Sequence, residues 1–315
     1  MLHLRLITPS DTTDGVVRLI EKTTGTTHLV VLPNCAHNPS GDVVMCDVAR
    51  EAGDELIGGL RKLGIDRSGS ISVENIDLSL SLRADKAEEE APGEGADAVL
   101  WEQLVEATHE ESTLSATYVA FMVLATMIAA CGVVLDNAIL IVGAMAVGPD
   151  FGPVAGLCTA LVRRAPRLAV RAVIALLAGF AAAMVVTVAF SWFMDSVGLF
   201  NDTLLQPGHR PNTNFIYAPD WFSFVVALLA GAAGTLSLTS AKSGALVGVA
   251  ISVTTVPAAA NAAVALSYSE YGQAWGSAEQ LLLNLLGIVL AGTSTLLAQK
   301  FFWAKQRERT AKQQA

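Results

Sequence analysis

The sequence predicts a small soluble α+β domain followed by an α-helical polytopic membrane domain of six spans. Three observations carry that reading. The first is a division of charge: residues 1–112 hold 9 Lys/Arg against 21 Asp/Glu, and residues 113–315 hold 11 against 8. The second is hydropathy. Hydrophobic residues make up 52% of the chain and charged residues 16%, with a mean hydropathy of +0.49, a balance unlike that of soluble domains. The third is periodicity. Short alternating segments fill residues 1–83, whereas from residue 113 apolar runs reach about 20 residues, the length that crosses a bilayer.

Residues 1–83 alternate strand and helix. HLRLITP is a short alternating strand. DTTDGVVRLIEKTTG begins with capping residues, carries Val16, Val17, Leu19 and Ile20 on one helical face and stops at Gly25. THLVVLP is the second strand, NCAHNPSGD a loop dense in turn residues, and VVMCDVA the third strand. REAGDELIGGLRKLG repeats the helical pattern through Leu56, Leu60 and Leu63 and ends at Gly64; SISVENIDLSLSL is a long alternating strand. The order β-α-β-β-α-β is the ferredoxin-like plan, with both helices on one face of a four-stranded antiparallel sheet. That plan does not name a function. No glycine-rich phosphate loop follows the first strand, and His3, His28 and His37 are scattered. The four cysteines, Cys35, Cys46, Cys131 and Cys158, show no ligand spacing and read as small buried residues without a disulfide framework.

Residues 84–112 form the connection. ADKAEEEAPGEGAD (84–97) reads as a flexible acidic linker. AVLWEQLVEATHEES follows as an amphipathic pre-membrane helix with Val99, Leu100, Leu104 and Ala107 on a narrow apolar stripe. Its acidity argues against adhesion to anionic lipid, so it is expected to pack on protein.

The membrane domain covers 113–303, with a basic cytoplasmic tail at 304–315. Spans are expected at about 114–134, 138–162 and 168–194, then in WFSFVVALLAGAAGTLSLT, GALVGVAISVTTVPAAANAAVAL and AEQLLLNLLGIVLAGTSTLLAQKFFW. Arg163, Arg164 and Arg167 lie between the second and third spans, Lys242 between the fourth and fifth, and Lys300, Lys305, Arg307, Arg309 and Lys312 after the sixth. The positive-inside rule then places both termini in the cytoplasm of a bacterial cell, in its inner (plasma) membrane. MLHLRLITPS lacks the basic start and long apolar core of a secretory signal, which agrees.

Six spans make two sets of three that enter the membrane from opposite sides, so any likeness between them is an inverted repeat. In each set the second span carries helix breakers: Gly143, Gly148, Pro149, Asp150, Gly152 and Pro153 in one, Gly248, Ser252, Thr254, Thr255, Pro257 and Asn261 in the other. Interrupted segments at matching positions of two halves point to a transporter binding site. A proline frees a backbone carbonyl, which in lipid must meet protein, water or substrate. Kinked packing helices are the competing reading, since small residues such as GAAG (231–234) serve close approach alone.

GAMAVGPDFGP resembles the signature of a prokaryotic membrane family catalogued as domain of unknown function 389. The likeness extends in order through ALLAGAAGTLSL, GALVGVAISVTTVPAAA and LLLNLLGIVLAG, covering about residues 110–300. It implies a shared broken-helix architecture and an N-terminal α/β domain, with no assigned activity. Asp150 departs from the pattern, which has an apolar residue there, and Ala258 stands where a second proline is usual.

The candidate substrate- or ion-binding residues are Asp150, Gly148, Pro149, Ser252, Thr254, Thr255, Pro257 and Asn261. Asp150 is read either as a cation ligand or proton acceptor, or as a water-facing cap of a helical segment that restarts after the break. The Ser/Thr hydroxyls either serve the opposing break or bond back to carbonyls one turn earlier. Asn261 and Asn284 either coordinate a solute or bridge helices. No nucleophile–base pair, zinc-binding HExxH or Walker sequence is present, and the basic residues sit at membrane edges rather than in a nucleic-acid patch. The expectation is a non-enzymatic, cofactor-free and metal-free transporter or channel for a small solute or ion, homo-oligomeric in the lipid bilayer and regulated or assembled by residues 1–83. The alternative is a membrane-anchored sensor or scaffold without transport.

Overall fold

The computed structural model describes residues 1–76, 78–91, 99–201, 210–213, 216–217, 221–240 and 255–314. The chain forms two compact units, each taken here by itself: Met1–Gln103 with Thr239–Lys242 and Phe301–Ala315, and Leu104–Leu238 with Ser243–Lys300.

In the first unit β1 (Leu2–Thr8), β2 (Thr26–His37), β3 (Ser40–Val48) and β4 (Ser70–Asn75) form one antiparallel sheet in the order β2-β3-β1-β4. Helices α1 (Thr13–Lys22) and α2 (Arg50–Lys62) complete the expected succession of elements, and a short α3 (Ile65–Ser68) precedes β4. Period-two alternation along β1 sends Leu2, Leu4 and Leu6 into the core. There they meet Val16 and Ile20 of α1 and Leu56 and Leu60 of α2. Both helices stop where a residue with positive φ is needed, and glycine supplies it: Gly25 at 87° and Gly64 at 79°.

Three expectations change. The segment expected as a loop at 34–42 is mostly strand: β2 runs through His37 along β3, with register shifts between Thr27 and Val30 and between Leu32 and Ala36. Bulges let an edge strand tolerate this turn-rich composition. The long alternating strand at the end of the domain stops at Asn75, opposite Leu2 at the start of β1, with one further bond from the Ile76 amide to the Met1 carbonyl at 3.3 Å. Leu78, Leu80 and Leu82 keep the alternation yet are 73%, 90% and 88% exposed. Finally, the first part of the expected linker is helix α4 (Leu82–Glu90), started by Ser81, whose side chain accepts from the Ala84 amide. Ala84 and Ala87 are buried, and the Met1 ammonium pairs with Glu88 at 2.9 Å. Residues 92–98 lie outside the described residues.

The histidines also prove less scattered than in sequence. Opposing registers bring His3 and His28 to the two oxygens of Asp47, each at 2.7 Å. Of the cysteines, Cys46 and Cys158 are buried as expected, but Cys35 is exposed on β2. Burial pushes the Cys46 thiol up to about 12, which leaves it unreactive at neutral pH.

The pre-membrane helix is α5 (Trp101–Glu111). Val99, Leu100 and Leu104 are buried as its apolar stripe predicted. Beyond Leu104 it packs on its own chain: Thr108 and Ser112 are buried against Gly156, where an added Cβ would stand 2.2 Å from Ser112 Oγ. The second unit continues with α6 (Ala116–Val134), α7 (Ala138–Val147), α8 (Phe151–Arg163), α9 (Pro166–Ser196), α10 (Trp221–Thr239), α11 (Val256–Ser267) and α12 (Tyr271–Gln314). Among the described residues, α6, α9, α10 and the Tyr271–Phe302 part of α12 are each long and apolar enough to cross a membrane. The α7–α8 pair qualifies as a fifth span bent by 56°. The expected fifth span, at 244–266, is described only from Thr255, and α11 is a shorter apolar helix.

Glycine contacts fix the helix directions. Gly231 of α10 faces Ile288 of α12, and Gly287 and Gly292 of α12 face Ala227 and Thr235 of α10, so these two helices run parallel. Gly179 faces Tyr118 near the start of α6, and Phe190 and Met194 pack with Ala129 and Val134 near its end, so α6 and α9 run parallel as well.

Candidate functional site

The break in the second span follows from its residues. Asn137 starts α7, its side-chain oxygen accepting from the amides of Ile139 at 2.9 Å and Leu140 at 3.2 Å. The helix ends at Val147. Gly148 turns to extended backbone, and Pro149 has no N–H with which to continue. A new helix, α8, begins at Phe151, with Pro153 in its first turn, where a missing N–H is tolerated.

Asp150 sits at the corner. It occupies the N-cap position of α8, yet its side chain makes no cap hydrogen bond and is fully buried. The water-facing cap reading is therefore set aside. Instead the carboxyl accepts from Thr255 Oγ1 at 2.5 Å, across 105 residues of sequence. Thr255 is itself the N-cap residue of α11, and Pro257 lies at the start of that helix. Two helix N-termini thus meet at one carboxyl group. The Tyr118 hydroxyl is buried within electrostatic reach of Asp150 and has no hydrogen-bond partner among the described residues.

Thr255, in its bond to Asp150, differs from Thr126, Ser191 and Thr235. Thr126 bonds back to the Met122 carbonyl, Ser191 to Thr187 and Thr235 to Gly231, the ordinary arrangement in membrane helices. Of the remaining candidates, Gly148 and Pro149 are half-buried at the corner and Pro257 is buried. Ser252 and Thr254 lie outside the described residues.

Asn261 belongs to a second polar cluster. Its Oδ1 accepts from Arg210 Nη1 at 2.8 Å, and its Nδ2 donates to Ser277 Oγ at 2.7 Å. Arg210 also donates to Gln273 Oε1 and lies 5.3 Å from the Tyr217 ring centroid. Burial lowers its affinity for the proton, which in an arginine still leaves the cation intact at neutral pH. One helix turn beyond Ser277, Gln280 Nε2 donates to Asn284 Oδ1 at 3.3 Å. Gln273, Ser277, Gln280 and Asn284 recur at intervals of four, three and four, so they share one face of α12, and the last three are buried. That spacing was legible in the sequence. The burial of Arg210 and Tyr118 was not, because nothing local marks it.

The soluble unit offers a different feature. A groove of about 750 Å³ lies between α1 and α2, lined by Arg18, Lys22 and Lys62 together with Asp54, Glu55 and Leu19. Gly15 and Gly58 border it with open space where a side chain would project.

Residues 145–290 match the family described as Domain of unknown function (DUF389). An uncharacterized protein of Methanocaldococcus jannaschii is 24% identical over 224 residues, which cover 70% of this chain and 67% of that protein. No solved structure matches. Both polar clusters lie within the matched stretch, apart from Tyr118. The likeness read from GAMAVGPDFGP thus holds: the family's model matches the stretch from 145, near the end of α7, to 290, past the polar face of α12.

Proposed function

We propose that the chain is an integral membrane transporter or channel for a small solute or ion, with its site at the corner shared by Asp150 and Thr255. The observation that carries this reading is their contact. A buried carboxyl at the corner of the bent α7–α8 pair joins the start of α11, from the other half of the domain. Buried ionisable groups in spans are expensive and usually serve a pathway or partner. Discontinuous helices whose N-termini converge are a recurring way to build an ion or substrate site. The parallel pairs α6/α9 and α10/α12 agree with two halves of three segments, the first pair enclosing the bent α7–α8 pair. Asp150 would bind a cation or accept a proton, with Thr255 and Tyr118 as neighbouring hydroxyls. The soluble domain would regulate or assemble a homo-oligomer from the cytoplasmic side of an inner membrane.

A second reading draws on the α1–α2 groove. Its mixed charges and glycine-lined floor suit a small polar ligand, as a membrane-anchored sensor or scaffold would need.

Flux separates the two. Protein in liposomes is challenged with monovalent cations and a pH gradient, comparing wild type with Asp150→Asn. Loss of a hydrogen bond to a charged group is worth roughly 1.5–3 kcal/mol, so flux in the variant is expected to fall by about tenfold or more. Equal flux in both proteins removes Asp150 from the mechanism. Absence of flux for every solute tested, with a ligand found for the groove, favours the sensor.

A further inference from the structure

Arg210 lies in the connection before α10 and is 3% exposed. Its seat is made of groups that recognise a planar cation. Two amide oxygens, of Asn261 on α11 and Gln273 on α12, receive its two terminal nitrogens, at 2.8 Å and 2.5 Å. The Tyr217 ring offers its face at 5.3 Å. Ser277 fixes the first oxygen: by accepting from Asn261 Nδ2 at 2.7 Å, it leaves Oδ1 turned toward the guanidinium. Asn261 and Ser277 are both fully buried, so this arrangement is held from behind by packed helices rather than by the arginine alone.

The chain next to Arg210 is anchored separately. Asp136, at the turn between α6 and α7, accepts from the Asn212 backbone at 3.1 Å, from Asn212 Nδ2 at 2.8 Å and from Thr213 Oγ1 at 2.9 Å. Seat and tether are thus distinct. The amide oxygens of the seat belong to α11 and α12, whereas Arg210 and the Tyr217 ring come from the connection, which is pinned at Asp136.

We propose that Asn261, Gln273, Ser277 and Tyr217 form a recognition site for a guanidinium-type cation, filled in this structure by the chain's own Arg210 as a tethered plug. The consequence, that the plug closes a pathway, rests on the transport reading above; the site itself does not.

The test uses full-length protein in detergent: wild type, Arg210→Ala, and Arg210→Ala combined with Asn261→Leu. Thermal midpoints are measured with low-millimolar guanidinium chloride and with equal potassium chloride. Arg210→Ala is expected to lower the midpoint by a few degrees, and guanidinium to restore most of that loss saturably while potassium does not. The double variant is expected to show no restoration. A loss that guanidinium leaves unrepaired marks Arg210 as a structural staple and overturns the proposal, as does restoration that persists in the double variant. Arg210→Lys keeps the charge but not the planar fork. If Arg210→Ala does not fold, restoration of Arg210→Lys by guanidinium upholds the site and its absence overturns it. In liposomes, faster guanidinium flux through Arg210→Ala than through wild type supports the plug. Restored stability with no flux upholds the site and counts against the transport reading alone.

Discussion

The two units of this chain are packed in opposite senses. In the first, large aliphatic side chains fill the interior: Leu2, Leu4, Leu6, Ile20, Leu56 and Leu60 are buried. In the second, the interior is dominated by small and polar residues, among them Ala125, Ala129, Ala175, Ala183, Thr126, Thr187, Asn261 and Asn284, all fully buried. Many large apolar residues there face outward, with Ile139 82% and Leu177 68% exposed, while Met122, Ile288 and Leu296 stay inside. Water explains the first pattern, since removing apolar area from it is the main drive to fold. It cannot explain the second. Helices whose outer faces are Leu, Val and Phe need an apolar solvent, and inside it association relies on close approach of small residues and on polar bonds. The contrast supports a membrane environment independently of span length.

A matched pair of leucines offers the sharpest way to break this contrast. Leu4→Ala empties a fully buried site in the first unit. It is expected to destabilise that unit by about 2–5 kcal/mol, as truncations of well-packed leucines do. Leu177→Ala removes the same atoms from an outward position on α9, and a change within about 0.5 kcal/mol is expected. Hydrogen exchange on the full chain in lipid discs reads both, through the amides of β1 and of α9. A large loss at Leu177 would mean that its face is covered by protein rather than lipid.

Glycine substitutions sharpen the other side of the comparison. A Cβ on Gly231 would stand 2.5 Å from the Ile288 carbonyl oxygen and 2.8 Å from its Cα. Backbone cannot yield as a flexible side chain does, so Gly231→Ala must push α10 and α12 apart. A loss of about 1–3 kcal/mol is expected, the usual range for overpacking. Gly143→Ala meets nothing within 4 Å, and there the greater helix propensity of alanine should leave stability equal or slightly higher. Thermal midpoints in one detergent compare the two. Equal effects would show that small residues do not set the α10–α12 approach.

What the sequence made legible divides along the same line. In the soluble unit, alternation in HLRLITP and helical spacing in DTTDGVVRLIEK located the core and the sheet plan, because water imposes a strong periodic signal. The errors fell where pairing partners decide: β2 was longer, and β4 shorter, than their own residues implied. In the membrane unit, Pro149 and the glycines around it foretold a break, since their backbone chemistry is local. Asp150 and Thr255 were both singled out, but the bond between them was not, for a contact between residues 150 and 255 has no local trace. Nor does the sequence mark Arg210, because burial of a loop residue depends on helices far along the chain.

Two buried aspartates give the smallest and most specific test. Asp150 is enclosed at a helix corner, whereas Asp42 is held by groups that converge at one end of the soluble sheet. Asp42 accepts from the Asn34 amide at 2.9 Å, Thr13 Oγ1 at 2.7 Å and Ser10 Oγ at 3.0 Å. The Asn34 amide, then the Thr13 hydroxyl, hold its carboxyl below the usual aspartate value. A carboxylate whose folded value is depressed contributes stability above the unfolded value, about 3.9, and loses it as pH falls through the folded value. The first unit should therefore weaken below about pH 4. Asp42→Asn should be less stable than wild type at neutral pH, with the gap closing under acid. Exchange rates of the β2–β3 amides in the full chain, followed across that pH range, measure this. A gap that stays constant from neutral to acid would show that Asp42 acts through shape alone, and that the charge in the soluble unit, unlike the buried carboxyl of the broken span, carries no special weight.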